Sequence, residues 1–308
     1  MEATGLRRTR AAWKLRTRTL DLGLRTLVMG VVNITPDSFS DGGRFLDPDA
    51  AVGHALRLLD EGADLLDLGA VSTRPGARIG LTPSIKSGDA RAVSAEEEQQ
   101  RLLPVLEGVL STRPDAIVSV DTWKAETARA ALAAGAEIVN DVSGLNWDPS
   151  LASVCAKAGC GVVLMHTRGL PDEWLTQTKL APDQLIAMVR SGLEASVSKA
   201  AEAGIAREAI VLDPGYGFGK RGEENFTLLS RQAELLGLGF PLLAGVSRKS
   251  FLGRALAPLH AGAVAPVGER ETASLAAMVA AILNGASIVR VHTVRIAVEA
   301  ALVADAVI

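Results

Sequence analysis

The sequence predicts an α/β protein: a (β/α)8 TIM barrel carrying an N-terminal β-hairpin. Three observations support this. Short apolar runs alternate strictly with longer segments of helical period. The runs are nearly continuous in Val, Ile and Leu, as strands covered on both faces must be. At 308 residues and 48% hydrophobic content, the chain has the length of one large barrel. A doubly wound open sheet is the alternative. Residues 1–26 are expected to form an extension and hairpin, and residues 27–308 a single barrel domain.

In chain order, the alternating stretch WKLRTRTLDLGLRTLVMG predicts a hairpin turning near Asp21-Leu22-Gly23. Strands are then expected over 27–34, 65–70, 116–121, 137–142, 161–166, 209–215, 241–247 and 287–293. Between them, helical character falls on 48–62, 94–110, 124–134, 149–158, 182–203, 224–237, 269–284 and 294–306. The stretch 77–93 is the one long irregular connection.

Composition narrows the function classes. A net charge of −3 gives no general electrostatic footprint for nucleic acid, although Arg7 to Arg25 is locally basic. That segment lacks the apolar core of a signal peptide. The longest apolar run, ASLAAMVAAIL, is too short to span a bilayer. A soluble, cytoplasmic protein is the expectation. The two cysteines, Cys155 and Cys160, fit no zinc spacing and read as packed thiols in a reducing compartment.

Polar residues collect at or near the C-terminal ends of the expected strands: Asn33, Asp121, Asn140, Asp141, His166, Asp213, Ser247, Arg290 and His292. In a barrel those ends form one rim, where binding and catalytic groups sit. Plainer roles stand beside this one. Asp141 could cap a turn, His166 could be a core histidine, Asp121 and Asn140 could cap helices, and Lys249 could be a surface lysine. Read together, two carboxylates (Asp121, Asp213), the Asn140 amide and the Lys249 cation suit a flat, nitrogen-rich heterocycle. Arg74, Arg290 and His292, with Ser72 and Thr73, suit phosphate oxygens. Asn33 suits a hydrated Mg²⁺, which needs few protein ligands.

The segments VMGVVNITPDSFSDGG, DLGAVSTRPGA, SVDTWKAETARAALAAGAEIVNDVSG, LDPGYGFGK, AGVSRKSFLG and VRVHT occur in this order. They resemble the dihydropteroate synthase family over almost the whole chain from about Leu20 onward. The resemblance implies a barrel enzyme that joins 6-hydroxymethyl-7,8-dihydropterin pyrophosphate to 4-aminobenzoate, releasing pyrophosphate and forming 7,8-dihydropteroate for folate synthesis. It implies Mg²⁺ on Asn33, and Asn33, Thr73, Arg74, Arg290 and His292 around the pyrophosphate. It implies a pterin pocket of Asp121, Asn140, Met165, Asp213, Phe218, Gly245 and Lys249, and a 4-aminobenzoate site of Phe39, Pro75, Ser247 and Arg248. Catalytic roles would fall on Asn33, Asp121, Lys249, Arg290 and His292. The implied partners are these small molecules and a second copy of the chain, with no nucleic acid or membrane.

The chain departs from the family pattern at Ala70-Val71, where Gly-Glu is common, at Thr167-Arg168 after the histidine, and at Thr293 where Asp is common; residues 79–93 look inserted. Two other readings compete. A methyltetrahydrofolate-dependent methyltransferase would share the heterocycle but would not need the STRPG and RVH segments. A catalytically silent pterin-binding protein would bind the ring without releasing pyrophosphate.

Overall fold

The computed structural model describes residues 10–34, 47–71 and 93–308. A two-stranded antiparallel ribbon, β1 (Ala11–Lys14) and β2 (Thr19–Leu22), precedes a closed, all-parallel eight-stranded barrel. The barrel strands are β3 (Leu27–Asn33), β4 (Leu65–Gly69), β5 (Val118–Asp121), β6 (Ile138–Asp141), β7 (Gly161–Met165), β8 (Ile210–Asp213), β9 (Leu242–Ala244) and β10 (Ala286–Val291). Helices α1 (Pro48–Asp60), α2 (Ala95–Thr112), α3 (Ala125–Ala133), α4 (Leu151–Ala158), α5 (Pro182–Glu202), α6 (Glu224–Ser230), α7 (Ser250–Ala255), α8 (Glu271–Leu283) and α9 (Val294–Asp305) form the outer wall. The expected barrel is therefore present, and the open sheet is excluded by the β10–β3 pairing, in register from Ile288 opposite Leu27 to Val291 opposite Gly30.

Local sequence accounts for the wall. Asp47 caps α1, with its side chain accepting from the Asp49 N–H and Pro48 in the first turn. Ser94 caps α2 by accepting from the Glu97 N–H at 3.0 Å, and Glu96, Glu97 and Glu98 meet the positive end of that helix.

Three details differ from the sequence reading. The hairpin turns at Leu15–Arg18, where the Leu15 N–H donates to Arg18 O at 2.8 Å, and not near Gly23. Asp21 and Leu22 lie inside the second strand opposite Ala12 and Ala11, because that register buries Trp13, Leu15 and Leu22 together. Segment 224–237 breaks after α6 into a tighter 3₁₀ stretch over Gln232–Leu238. There the buried Gln232 amide donates to Ala281 O and Asn284 O and accepts from the Tyr216 hydroxyl. Helix α7 is additional; at six residues it is too short to show a period.

The hairpin closes the N-terminal end of the barrel. Trp13, Leu15 and Leu22 pack with Met29, Leu65, Ile138, Val163, Val211, Leu243 and Ile288 from the strand interiors. The Trp13 indole N–H donates to Ala209 O at 2.9 Å, and Glu137 accepts from both the backbone N–H and the hydroxyl of Thr17. With one end of the interior sealed by apolar side chains, polar groups can gather only at the other. Trp13→Ala should lower unfolding free energy by about 3–5 kcal/mol. Urea denaturation checks this, and a loss under about 1 kcal/mol would show that the plug carries little of the fold's stability.

Candidate active site

At the C-terminal end of the barrel, alternate strands contribute polar groups: Asp67 from β4, Asn140 from β6, Asp213 from β8 and Arg290 from β10. In most barrels an interior layer supplied in this way is filled by branched apolar side chains. The Arg290 Nε donates to Asp67 Oδ2 at 2.6 Å and its Nη2 to Asp121 Oδ2 at 2.9 Å. The same Asp67 oxygen accepts from Asn140 Nδ2 at 3.0 Å. Asp67 is fully buried, whereas the side chains of Arg290 and Asp121 keep 20% and 22% exposure and so reach the mouth.

Asp213 Oδ1 accepts from the Gly215 N–H at 2.7 Å. Its Oδ2 lies beside Gly245, where a Cβ would stand 3.7 Å from that oxygen and 3.9 Å from the Arg290 Cβ, so a larger residue would fill the space between them. Lys249 is no surface lysine. Its ammonium lies 3.8 Å from the centroid of the Phe218 ring, which Trp174 holds edge-on at 5.0 Å. Phe218 also borders a small apolar cluster of Trp123, Val142 and Met165 with Val71 and Trp147.

Confinement shifts the ionisation of these groups. Burial pushes Asp121 up to about 7, with Asp67 and Glu98 adding to the rise and Arg290 and Lys249 opposing it. Burial pulls Lys249 down to about 7, opposed by Asp213 and Asp121 and assisted by Arg290. Burial raises Asp213 as well. For Arg290 burial works against the charge, but Asp67 and Asp121 outweigh it, so the guanidinium is held above its usual pKa.

For the other expected residues, no side-chain hydrogen bond to this centre occurs among the described residues. Ser247 Oγ is 2.9 Å from His292 Nδ1 and also accepts from the His292 N–H at 3.3 Å. The Arg248 guanidinium donates to Glu271 at 3.0 Å and to Thr293 Oγ1 at 2.9 Å. Its left-handed backbone, φ 59°, is held by the Ser274 hydroxyl and by Arg270. Asn33 ends β3 opposite Gly69, half-buried. Its single neutral amide oxygen fits a hydrated Mg²⁺, and no cluster of three His, Cys, Asp or Glu suited to a metal ion occurs among the described residues. Phe39, Ser72, Thr73, Arg74 and Pro75, with residues 79–92 of the long connection, lie outside the described residues.

The open alternatives resolve by geometry. Asp141 accepts from the N–H groups of Ser143 and Leu145 and from the Ser143 hydroxyl, which makes it a turn cap. His166 is a core residue, buried against Gly192 of α5, where any Cβ would come within 2.4 Å of its ring. Asp121 and Asn140 cap no helix: the first N–H of α3 is met by Asp148 at 2.8 Å.

The sequence reading missed two residues. Asp67 was visible as the lone charge inside LLDLG, a strand with no exposed position, where an ionised side chain needs a partner. Lys220 is buried and donates to His166 O at 2.7 Å and Gly215 O at 2.8 Å, tying the β7 and β8 loops together. Neither carbonyl carries a sequence signal. On the outer wall, a groove of about 890 Å³ lined by Arg16, Arg129, Ser153 and Lys157 contains none of the polar centre.

Residues 29–292 match the model of a family described as pterin binding enzyme. The dihydropteroate synthase of Mycobacterium leprae is 45% identical over 91% of this chain and 92% of its own length. This chain belongs to the dihydropteroate synthase family. A structure of the Xanthomonas albilineans dihydropteroate synthase with 4-aminobenzoic acid matches with a TM-score of 0.81 and 40% identity, covering 97% of this chain and 98% of that one. Another structure of the Xanthomonas enzyme, in complex with 7,8-dihydropteroate, has a TM-score of 0.77 at 38% identity, covering 96% and 98%.

Three departures from the family pattern have local partners. Val71 joins the Trp123 cluster, Thr293 accepts from Arg248, and Arg168 donates to Thr178 O at 2.7 Å. Gly215 has a strict requirement of its own: at φ 72° a Cβ would stand 1.9 Å from His166 O. Gly215→Ala should cost roughly 1–3 kcal/mol and move the loop that carries Phe218. Thermal unfolding measures the first effect; an unchanged Tm would show that the loop relaxes freely.

Proposed function

We propose that this chain joins 6-hydroxymethyl-7,8-dihydropterin pyrophosphate to 4-aminobenzoate, releasing pyrophosphate and forming 7,8-dihydropteroate, the reaction of its family. The observation that carries this reading is the convergence of Asp121, Asn140, Asp213, Lys249 and Arg290 at one mouth, with Asp67 buried beneath them. It presents acceptors and a cation to a polar ring, with a guanidinium beside them for an anionic leaving group.

In this reading Asp121, Asp213 and the Asn140 carbonyl accept from the amino and ring N–H groups of the pterin, and Lys249 donates to its acceptor edge. Phe218, Gly245 and Met165 line the ring. Arg290 and His292, with Thr73 and Arg74, meet the departing pyrophosphate, where cationic donors count most as charge develops. Asn33 would hold Mg²⁺, which when bound supplies positive charge to the phosphate oxygens. Asp121 favours the positive charge left on the pterin methylene, so the path is S_N1-like, and the weakly basic arylamine needs no strong protein base. Phe39, Pro75, Ser247 and Arg248 form the 4-aminobenzoate site.

Two wider expectations accompany the reading. Leu302, Val303 and Val307 on and after α9 are each more than 60% exposed, which suits a homodimer through the α8–α9 side. No helix among the described residues is long and apolar enough to cross a membrane. Cytoplasmic folate synthesis accords with that.

Incubation with the pterin pyrophosphate, Mg²⁺ and 4-aminobenzoate should release pyrophosphate and form dihydropteroate. Tight pterin binding without release would favour a silent binder. Positional oxygen exchange in the pyrophosphate without the amine is expected for the S_N1-like path, and its absence would speak for concerted attack. The pH profile follows from the shifts. Ionised Asp121 accumulates above about pH 7 and protonated Lys249 below it, so kcat/KM should peak near neutrality and fall on both sides. Lys249→Arg should carry the alkaline limb upward, since a guanidinium keeps its charge. A profile flat between about pH 5.5 and 8.5 would remove both groups from the chemistry.

A further inference from the structure

We propose that Asp67 is a positioning residue for this reaction, acting through one carboxylate oxygen shared between Arg290 and Asn140. The inference rests on the functional reading above and deepens it. Asp67 is fully buried, so it meets no substrate and works only through its partners.

Its effect on Asn140 is to choose which amide atom faces the mouth. Nδ2 is committed to Asp67 Oδ2 at 3.0 Å, and turning the amide over would set two acceptor oxygens against each other. Asn140 Oδ1 has no partner among the described residues and is not sealed in the interior, so it is presented to the mouth as an acceptor. Without Asp67 the same side chain could offer either atom, and its preference for a ring N–H would weaken.

Its effect on Arg290 is to fix the guanidinium plane. Nε is taken by Asp67 at 2.6 Å and Nη2 by Asp121 at 2.9 Å, two carboxylates on adjacent strands. Nη1 has no partner among the described residues, which leaves that edge for a phosphate oxygen. A single oxygen thus sets both the ring-reading amide and the leaving-group cation, so a shift in one is felt by the other.

Stability alone does not explain a carboxylate here. Asp67 Oδ1 is buried with no partner among the described residues, a cost that an amide-free apolar residue would avoid. The arrangement is a buried charge kept for what it orients.

The test is Asp67→Asn in the full-length chain, which keeps shape and removes the charge. Loss of geometry of this kind should lower kcat/KM for the pterin pyrophosphate about 100-fold, with Tm near wild type. KM for 4-aminobenzoate at saturating pterin should stay within about twofold, because among the described residues the Asp67 side chain hydrogen-bonds to Arg290 and Asn140 alone. The acid limb of the pH profile should move down, since one anion near Asp121 is gone while Arg290, Glu98 and Lys249 still face it. Asp67→Glu, which restores the charge but displaces the oxygen, should not rescue. Wild-type kcat/KM in either variant would overturn the proposal. So would an equal loss for both substrates with an unmoved acid limb, or failure of both variants to fold, which would assign Asp67 to stability. Inactivity of the wild-type chain would instead sink the functional reading. Pterin binding, followed by tryptophan fluorescence, would still test Asp67 in that case, with weakened binding in Asp67→Asn expected and equal binding contrary to it.

Discussion

Closure of the barrel by the β10–β3 pairing is the constraint on which the site depends. It brings Arg290 to Asp67, partners 223 residues apart, and so converts two chain-distant charges into a hydrogen-bonded pair. Long-range pairing of this kind is formed only when most of the chain is already ordered. The polar centre is therefore a property of the closed barrel and not of any one βα unit.

The barrel interior is divided by chemistry along its axis. The hairpin plugs one end with Trp13, Leu15 and Leu22, and the apolar interior below the mouth keeps water out. At the other end, burial raises the proton affinity of Asp121 and Asp213 and lowers that of Lys249, which brings Asp121 and Lys249 towards neutrality from opposite sides. Taking charges out of water costs several kcal/mol per ion, and paired geometry offsets that only when the hydrogen bonds are good. The Arg290 bonds at 2.6 and 2.9 Å meet that condition, while Asp67 Oδ1, which has no partner among the described residues, does not. Stability is conceded at the mouth and recovered in the plug and wall.

The chain's departures from its family pattern illustrate local compensation. Where a carboxylate is common before STRPG, Val71 instead packs on an apolar cluster with Trp123 and Trp147, so the position is filled by contact area and not by charge. Thr293 keeps an acceptor for Arg248, which also leans on Glu271. Neither change reaches the Asp67–Arg290–Asp121 core of the site.

The sequence by itself determined the eight alternating βα units and most of the rim, while closure of the barrel over an open sheet was decided by the β10–β3 pairing. Continuous apolar runs and helical periods are local properties, and polar residues at strand ends can be placed on a rim without coordinates. The hairpin was legible as alternation, but its turn was not, because the register was decided by which residues the barrel floor could bury. Only the tertiary structure separated Asp141, a turn cap, and His166, a core residue, from Asp121 and Asn140, since all four share the same strand-end signal. Only it gave Asp67 and Lys220 their roles. A buried charge takes its meaning from partners on other strands and loops, and those partners are neighbours in space alone.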